Sequence, residues 1–246
     1  MFQVTDALLL VWFLGMVAVP LIARTERTRS RSRAISLGVV VQVVLVTAVL
    51  LTTWPLAAAL RALVLVPVLG WVAEFIGSST GIPFGHYHYT DALQPQLRRV
   101  PLAIPAAWLM MMPPSWAIAE LVAPGAPWWL SAVIAGAAFT AWDMYLDPHL
   151  VGWQFWKWDV PGRFYLGIPL TNFFGWFIWA AIITAAVQPR SLTGTSMWLV
   201  YVLTWLFQFG GHMVFWRMRV SAVVGFIAMA VFAVPAVMRL LGYLPM

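Results

Sequence analysis

The sequence predicts an all-α fold, a polytopic membrane helix bundle of about eight transmembrane helices that forms a single integral membrane domain over residues 1–246. Three observations predict it. The chain is 63% hydrophobic and only 9% charged, with a mean hydropathy of +0.87, whereas a soluble domain carries about 25% charged residues. A soluble core of this size cannot hide so much apolar surface, so lipid is the solvent for most of it. Apolar runs near the spanning length of roughly 20 residues recur along the whole chain. Finally, the basic residues crowd onto alternate connections between those runs.

The runs fall at about residues 6–23, 34–53, 58–77, 100–122, 127–147, 166–187, 196–215 and 220–241. The first lacks the basic start and small-residue cleavage site of a signal peptide and reads as a retained helix. The third is the weakest: Trp54-Pro55 interrupts its start and Arg61 sits inside it, so a seven-helix reading would merge or demote it. Charge decides between the two counts. With eight spans and a non-cytoplasmic N-terminus, the cytoplasmic side holds Arg24, Arg27, Arg29, Arg31 and Arg33 of the first loop. It also holds Arg98, Arg99, Lys157, Arg163, Arg217 and Arg219, against Arg61, Arg190 and Arg239 opposite. Dropping the third span inverts every later loop and destroys that asymmetry. The expected location is therefore the inner, cytoplasmic membrane, with several passes. The arginine-rich first loop accounts for much of the net charge of +6. Lying between two apolar runs, it suits anionic lipid head groups rather than nucleic acid, which is not an expected partner. Cysteine is absent, which removes disulfides, thiolate nucleophiles and cysteine-ligated metals together.

Two cytoplasmic connections are long, residues 78–99 and 148–165, and function tends to sit where long ordered loops do. Polar groups gather at the same depth. Glu74 lies near the cytoplasmic end of the third span, and Asp143 and Asp147 near that end of the fifth, which Pro148 is expected to terminate. Asn172 lies about two turns into the sixth span, and His212 near the end of the seventh. An Asp at mid-membrane costs about 2.5–3.5 kcal/mol on insertion scales. Four helices placing such groups in one leaflet point to a polar chamber open to the cytoplasm. Asp143 and Asp147, spaced i, i+4, share one helix face. Desolvation and mutual repulsion disfavour two charges there, so one carboxyl keeps its proton, as protonation of an alkene requires. The alternative is a solvated helix end, since an Asp before a Pro is often merely interfacial.

In the segment 81–91, His86 and His88 alternate with Tyr87 and Tyr89, so an extended chain turns histidines one way and tyrosines the other. Together with Asp91 the histidines give three potential metal ligands in one loop, a weak pattern on which no metal is assigned. The alternatives are hydrogen bonding at head-group level, or Tyr87 or Tyr89 lining a substrate entrance. Residues 153–159, with Trp153, Trp156 and Trp158 around Lys157 and Asp159, read as an interfacial aromatic anchor. The same rings can steady an apolar or cationic substrate.

Several classes are excluded by what is missing. Retinal-binding rhodopsins need a lysine within a late span, and the only lysine is Lys157, in a loop. Membrane di-iron oxygenases need many clustered histidines, and there are four, two of them remote. Membrane prenyltransferases need two Asp-rich motifs, and only the Asp143/Asp147 pair exists.

Three blocks resemble the membrane carotenoid hydratase family, which includes carotenoid 1,2-hydratases and bisanhydrobacterioruberin hydratases. They are Glu74–Gly77 with Thr80–Asp91, Asp143–Pro148, and Gly162–Trp176. The resemblance implies a carotenoid biosynthesis enzyme, a hydro-lyase working without a cofactor. Its substrate would be an acyclic carotenoid, lycopene-like or of fifty carbons, and other enzymes of the pathway are possible partners alongside the bilayer. Water added across the terminal double bond would give a tertiary alcohol. From that chemistry, Asp143 or Asp147 is expected to be the acid and its partner to stabilise the cation. Glu74 or Asp91 is expected to position water, helped by Asn172. Tyr87, Tyr89, Tyr165, Trp158, Trp176 and His212 are expected to bind substrate. The competing readings are cyclisation or elongation of the same end group, and a non-catalytic carotenoid-binding scaffold.

Overall fold

The computed structural model describes residues 4–22, 28–163 and 165–245. Among them run eight α-helices: α1 (Val4–Ile22), α2 (Thr28–Thr53), α3 (Leu56–Thr80), α4 (Ala103–Val122), α5 (Trp128–Gly152), α6 (Leu170–Val187), α7 (Met197–Gly210) and α8 (Arg219–Leu240). Each expected span has its helix. By length and composition, five stretches are long and apolar enough to cross a membrane: Ser30–Thr53, Leu56–Thr80, Leu170–Val187, Met197–Phe215 and Arg219–Leu240. The doubtful third span is thus a continuous helix of 25 residues, with Pro67 accommodated inside it. Helix α2 starts earlier than expected. Arg31 and Arg33 lie on its first turns, and the Arg31 guanidinium stacks 5.2 Å from the Trp153 ring. Arg24, Arg27 and the side chain of Arg29 lie outside the described residues.

The helices are built inside out relative to a soluble bundle. On α8 the exposed residues Val220, Val223, Ile227, Val231 and Val234 form one stripe at three- and four-residue spacing, while Ser221, Ala222, Gly225, Ala233 and Ala236 are buried. On α3, Leu56, Leu60, Val64 and Val68 face outward, and Ala58, Ala59, Ala62, Gly70, Ala73 and Gly77 face inward. Small residues let backbones approach, and large aliphatic ones meet lipid. Helix α4 runs through the middle, packed against α2, α3, α5, α7 and α8. It contains Pro113 and Pro114. A proline at 114 leaves the carbonyl of Met110 without its helical donor. Gln42 Nε2 supplies one at 2.9 Å, while its Oε1 accepts from Trp12 Nε1 at 2.8 Å.

The same device corrects the expectation for α5. Pro148 does not end that helix, which continues to Gly152. The carbonyl that Pro148 cannot serve is that of Met144, and the Tyr165 hydroxyl donates to it at 2.6 Å. Helix α5 therefore stays regular through Asp143 and Asp147.

Four short strands lie in the connections: β1 (Tyr87–Tyr89), β2 (Gln96–Leu97), β3 (Val100–Pro101) and β4 (Trp156–Trp158). Strands β2 and β3 form a small hairpin before α4. Strands β1 and β4 pair antiparallel, with Tyr87 opposite Trp158, His88 opposite Lys157 and Tyr89 opposite Trp156. This clip ties the α3–α4 connection to the α5–α6 connection and roofs one end of the bundle.

Candidate functional site

Glu74 lies two turns from the C-terminal end of α3 and is 2% exposed. A buried carboxylate needs donors, and three converge on it. Tyr87 and Tyr89 hydroxyls donate to its Oε2 at 2.5 and 2.6 Å, and Trp108 Nε1 donates to its Oε1 at 3.0 Å. The tyrosines reach it because β1 is extended, so alternate residues share a face, while His88 points outward to pair with Asp159 at 2.8 Å. Burial, followed by the neighbouring Glu74 carboxylate, holds both phenols well above their ordinary range, so they remain donors. Phe84 seats this loop. It fits between Gly77 of α3 and Gly175 of α6, where an added Cβ would stand 2.4 and 2.6 Å from its ring.

Asp143 and Asp147 are 0% and 1% exposed and face α6. Asn172 Nδ2 donates to Oδ2 of each, at 3.4 Å to Asp143 and in a very short contact to Asp147. Trp156 Nε1 donates to the other oxygen of Asp147 at 3.1 Å. Both oxygens of Asp147 are thus occupied, whereas Asp143 Oδ1 is buried without a hydrogen-bond partner. The three carboxyl groups surround one cavity of about 40 Å³, completed by Tyr87, Tyr89, Met111, Trp156, Trp158 and Trp176. Trp176 of its wall is backed by further rings: Trp108 stacks on it at 4.9 Å, and Phe139 lies 4.7 Å from Trp108. Among the described residues, no Lys, Arg or His lines this cavity.

Of the residues expected from sequence, Glu74, Asp143, Asp147, Asn172, Tyr87, Tyr89, Trp158 and Trp176 all line it. Asp91 is exposed and does not. Tyr165 supports α5 from outside, packed on Phe173 at 5.6 Å. His212 is fully buried on the far face of α5, in a π-helical turn (Gly211–Phe215), with Nδ1 2.8 Å from Gln208 O and Nε2 3.2 Å from Tyr145 O. The chamber is accordingly framed by α3, α4, α5, α6 and the β1–β4 clip, without α7. Trp108 and the donor role of Trp156 were not legible in the sequence: one tryptophan among 16 in an apolar context carries no mark of its partner. A larger depression of about 220 Å³ lies at the opposite end, lined by Trp116, Glu120, Thr184 and Arg190. There Glu120 accepts from the Leu192 amide at 2.9 Å.

No curated protein and no solved structure matches the chain. A family described as carotenoid biosynthesis protein matches residues 34–238, which take in all of α3 to α7, the clip and every residue of the cavity. The chain belongs to the carotenoid biosynthesis protein family.

Proposed function

We propose that this protein adds water to the terminal double bond of an acyclic carotenoid end group, giving a tertiary alcohol. The observation that carries the reading is the cavity itself: three carboxyl groups and aromatic walls around about 40 Å³. So small a cavity suits the tip of a long polyene rather than its length. Three negative charges without a cation beside them are too costly to bury, so the trio holds at least one proton.

Asp143 is the group best suited to carry that proton, because Asp147 has donors on both oxygens and Glu74 has three in all. Transfer of the Asp143 proton to the less substituted alkene carbon leaves a tertiary cation. The fixed charges of Glu74 and Asp147 and the faces of Trp156, Trp158 and Trp176 stabilise it. Water then bonds to the cationic carbon, and its surplus proton returns to Asp143, so no net proton is consumed. Asn172 holds the two aspartates in register. Elongation of the same end would require a site for a diphosphate, and the absence of any basic group among the described cavity residues argues against it. Arg31, Arg33, Arg98, Arg99, Lys157, Arg163, Arg217 and Arg219 lie at the cavity end of the bundle, which supports a cytoplasmic placement of the site in the cell's inner membrane and an N-terminus on the other side.

The test is expression in a lycopene-producing host grown in oxygen-18 water, with mass analysis of the pigments. The expected product gains one water carrying the heavy oxygen, and Asp143→Asn abolishes it. Cyclised pigment without added oxygen, or a hydroxyl derived from dioxygen, would overturn the reading. So would unchanged product from Asp143→Asn, which is the behaviour of a scaffold.

A further inference from the structure

Two residues that line the carboxyl cavity each carry a buried polar atom without a hydrogen-bond partner: Asp143 Oδ1 and Trp158 Nε1. Orphaned polar atoms of this kind are rare in folded proteins and call for an explanation. Here they are complementary. The indole N–H is solely a donor, and a carboxyl oxygen can accept or, when protonated, donate. They also come from different elements, α5 and β4, and meet on one cavity whose volume of about 40 Å³ suffices for a bound water, which needs roughly 10–15 Å³.

Apart from the Trp176 indole, the other donors around the cavity are already committed. Tyr87, Tyr89 and Trp108 serve Glu74, and Trp156 and Asn172 serve the aspartates. The register of the clip explains why Trp158, unlike Trp156, is left over. It sits opposite Tyr87 at the end of β4, its ring 5.1 Å from that of Tyr87, while Trp156, two residues earlier on the same face, is the one that reaches Asp147. We propose that Trp158 Nε1 and Asp143 hold the water molecule that becomes the hydroxyl group. This assignment rests on the hydration reading of the same cavity and deepens it. It replaces Glu74 and Asp91 as the holders of water, since Glu74 already accepts three hydrogen bonds and Asp91 lies outside.

In this arrangement the same carboxyl group serves both half-steps. Asp143 gives its proton to the alkene carbon, forming the new C–H bond and a carboxylate. The water oxygen then forms the C–O bond to the adjacent cationic carbon, and one of its protons passes back to Asp143. Without the indole donor the first half-step survives and the second slows. The cation then gives a proton from a neighbouring carbon back to the Asp143 carboxylate and returns to alkene.

That partition is what the experiment reads. Membranes holding wild type, Trp158→Phe, Trp158→His and Trp156→Phe are incubated with acyclic carotenoid in deuterium oxide. Recovered alkene is analysed for deuterium, and alcohol is quantified in the same sample. In wild type nearly all protonation events end in alcohol. In Trp158→Phe the ratio of deuterated alkene to alcohol rises about tenfold, the loss expected from one hydrogen bond to a reacting group. Trp158→His, which keeps a ring N–H, stays closer to wild type. Trp156→Phe, which strips a donor from Asp147, slows both outputs together and leaves the ratio alone. An unchanged ratio in Trp158→Phe overturns the water site while leaving hydration standing, as does loss of both outputs with the protein present in the membrane. Neither alcohol nor deuterium uptake in wild type overturns hydration first, and the water site with it.

Discussion

Pairing Tyr165→Phe with Pro148→Ala offers a sharp test of how α5 carries its aspartates past a proline. Pro148 has no N–H to give the Met144 carbonyl, and the Tyr165 hydroxyl fills that place at 2.6 Å from a side chain that is 7% exposed. Removing the hydroxyl leaves a shielded carbonyl unserved, at a cost of about 1–2 kcal/mol. For a chain of this size each kcal/mol lowers the melting temperature by roughly 2–4 °C, so Tyr165→Phe should melt about 2–8 °C lower in detergent. Pro148→Ala restores the helical donor, and in that background Tyr165→Phe should cost only about half a kcal/mol, giving a coupling near 1 kcal/mol in the double-mutant cycle. Tryptophan fluorescence or circular dichroism on heating reads all four proteins. Equal losses in the two backgrounds, within about 0.5 kcal/mol, would refute the idea that the hydroxyl stands in for the missing amide.

Tyr87→Phe and Tyr89→Phe each take one donor from Glu74 Oε2, and each should slow carotenoid conversion about tenfold at equal protein. Because burial and Glu74 raise both phenols, the wild-type rate should not fall as pH passes the ordinary tyrosine value of 10.0; a break there would show a phenol ionising. Gly175→Ala places a Cβ 2.6 Å from the Phe84 ring and should destabilise by about 1–3 kcal/mol. Gly38→Ala, with nothing within 4 Å of the new Cβ, should not. Similar melting curves for the two would show that the Phe84 seat is not tight.

What the sequence revealed about this fold was what depends on segment length and period. Runs of about 20 apolar residues and alternate basic connections are enough for eight helices, and the alternation in Tyr87-His88-Tyr89 is enough to foresee its two faces. Depth along each helix was also legible, since Glu74, Asp143, Asp147 and Asn172 do meet. Direction around the helix axis was not. His212 shares the depth of the aspartates yet lies behind α5, because only packing decides which way a residue on an all-apolar helix turns. Helix α2 starts at Thr28, ahead of its apolar run, because arginines, good helix formers, extend the helix beyond its apolar part. Pro148 looked like a terminator because its compensation comes from Tyr165, 21 positions from the carbonyl it serves.

The β1–β4 clip has a consequence for the birth of the protein. Its two strands come from connections so far apart that His88 and Asp159 are 71 positions distant. During synthesis α3 enters the bilayer with Glu74 already on it, and Tyr87 and Tyr89 follow at separations of 13 and 15 residues, soon enough to shelter that carboxyl. The aspartates of α5 find Trp156 9 residues beyond Asp147, in the following connection, and Asn172 only once α6 begins. The residues of the chamber are therefore complete only with α6, when β4 can pair with a strand laid down two helices earlier.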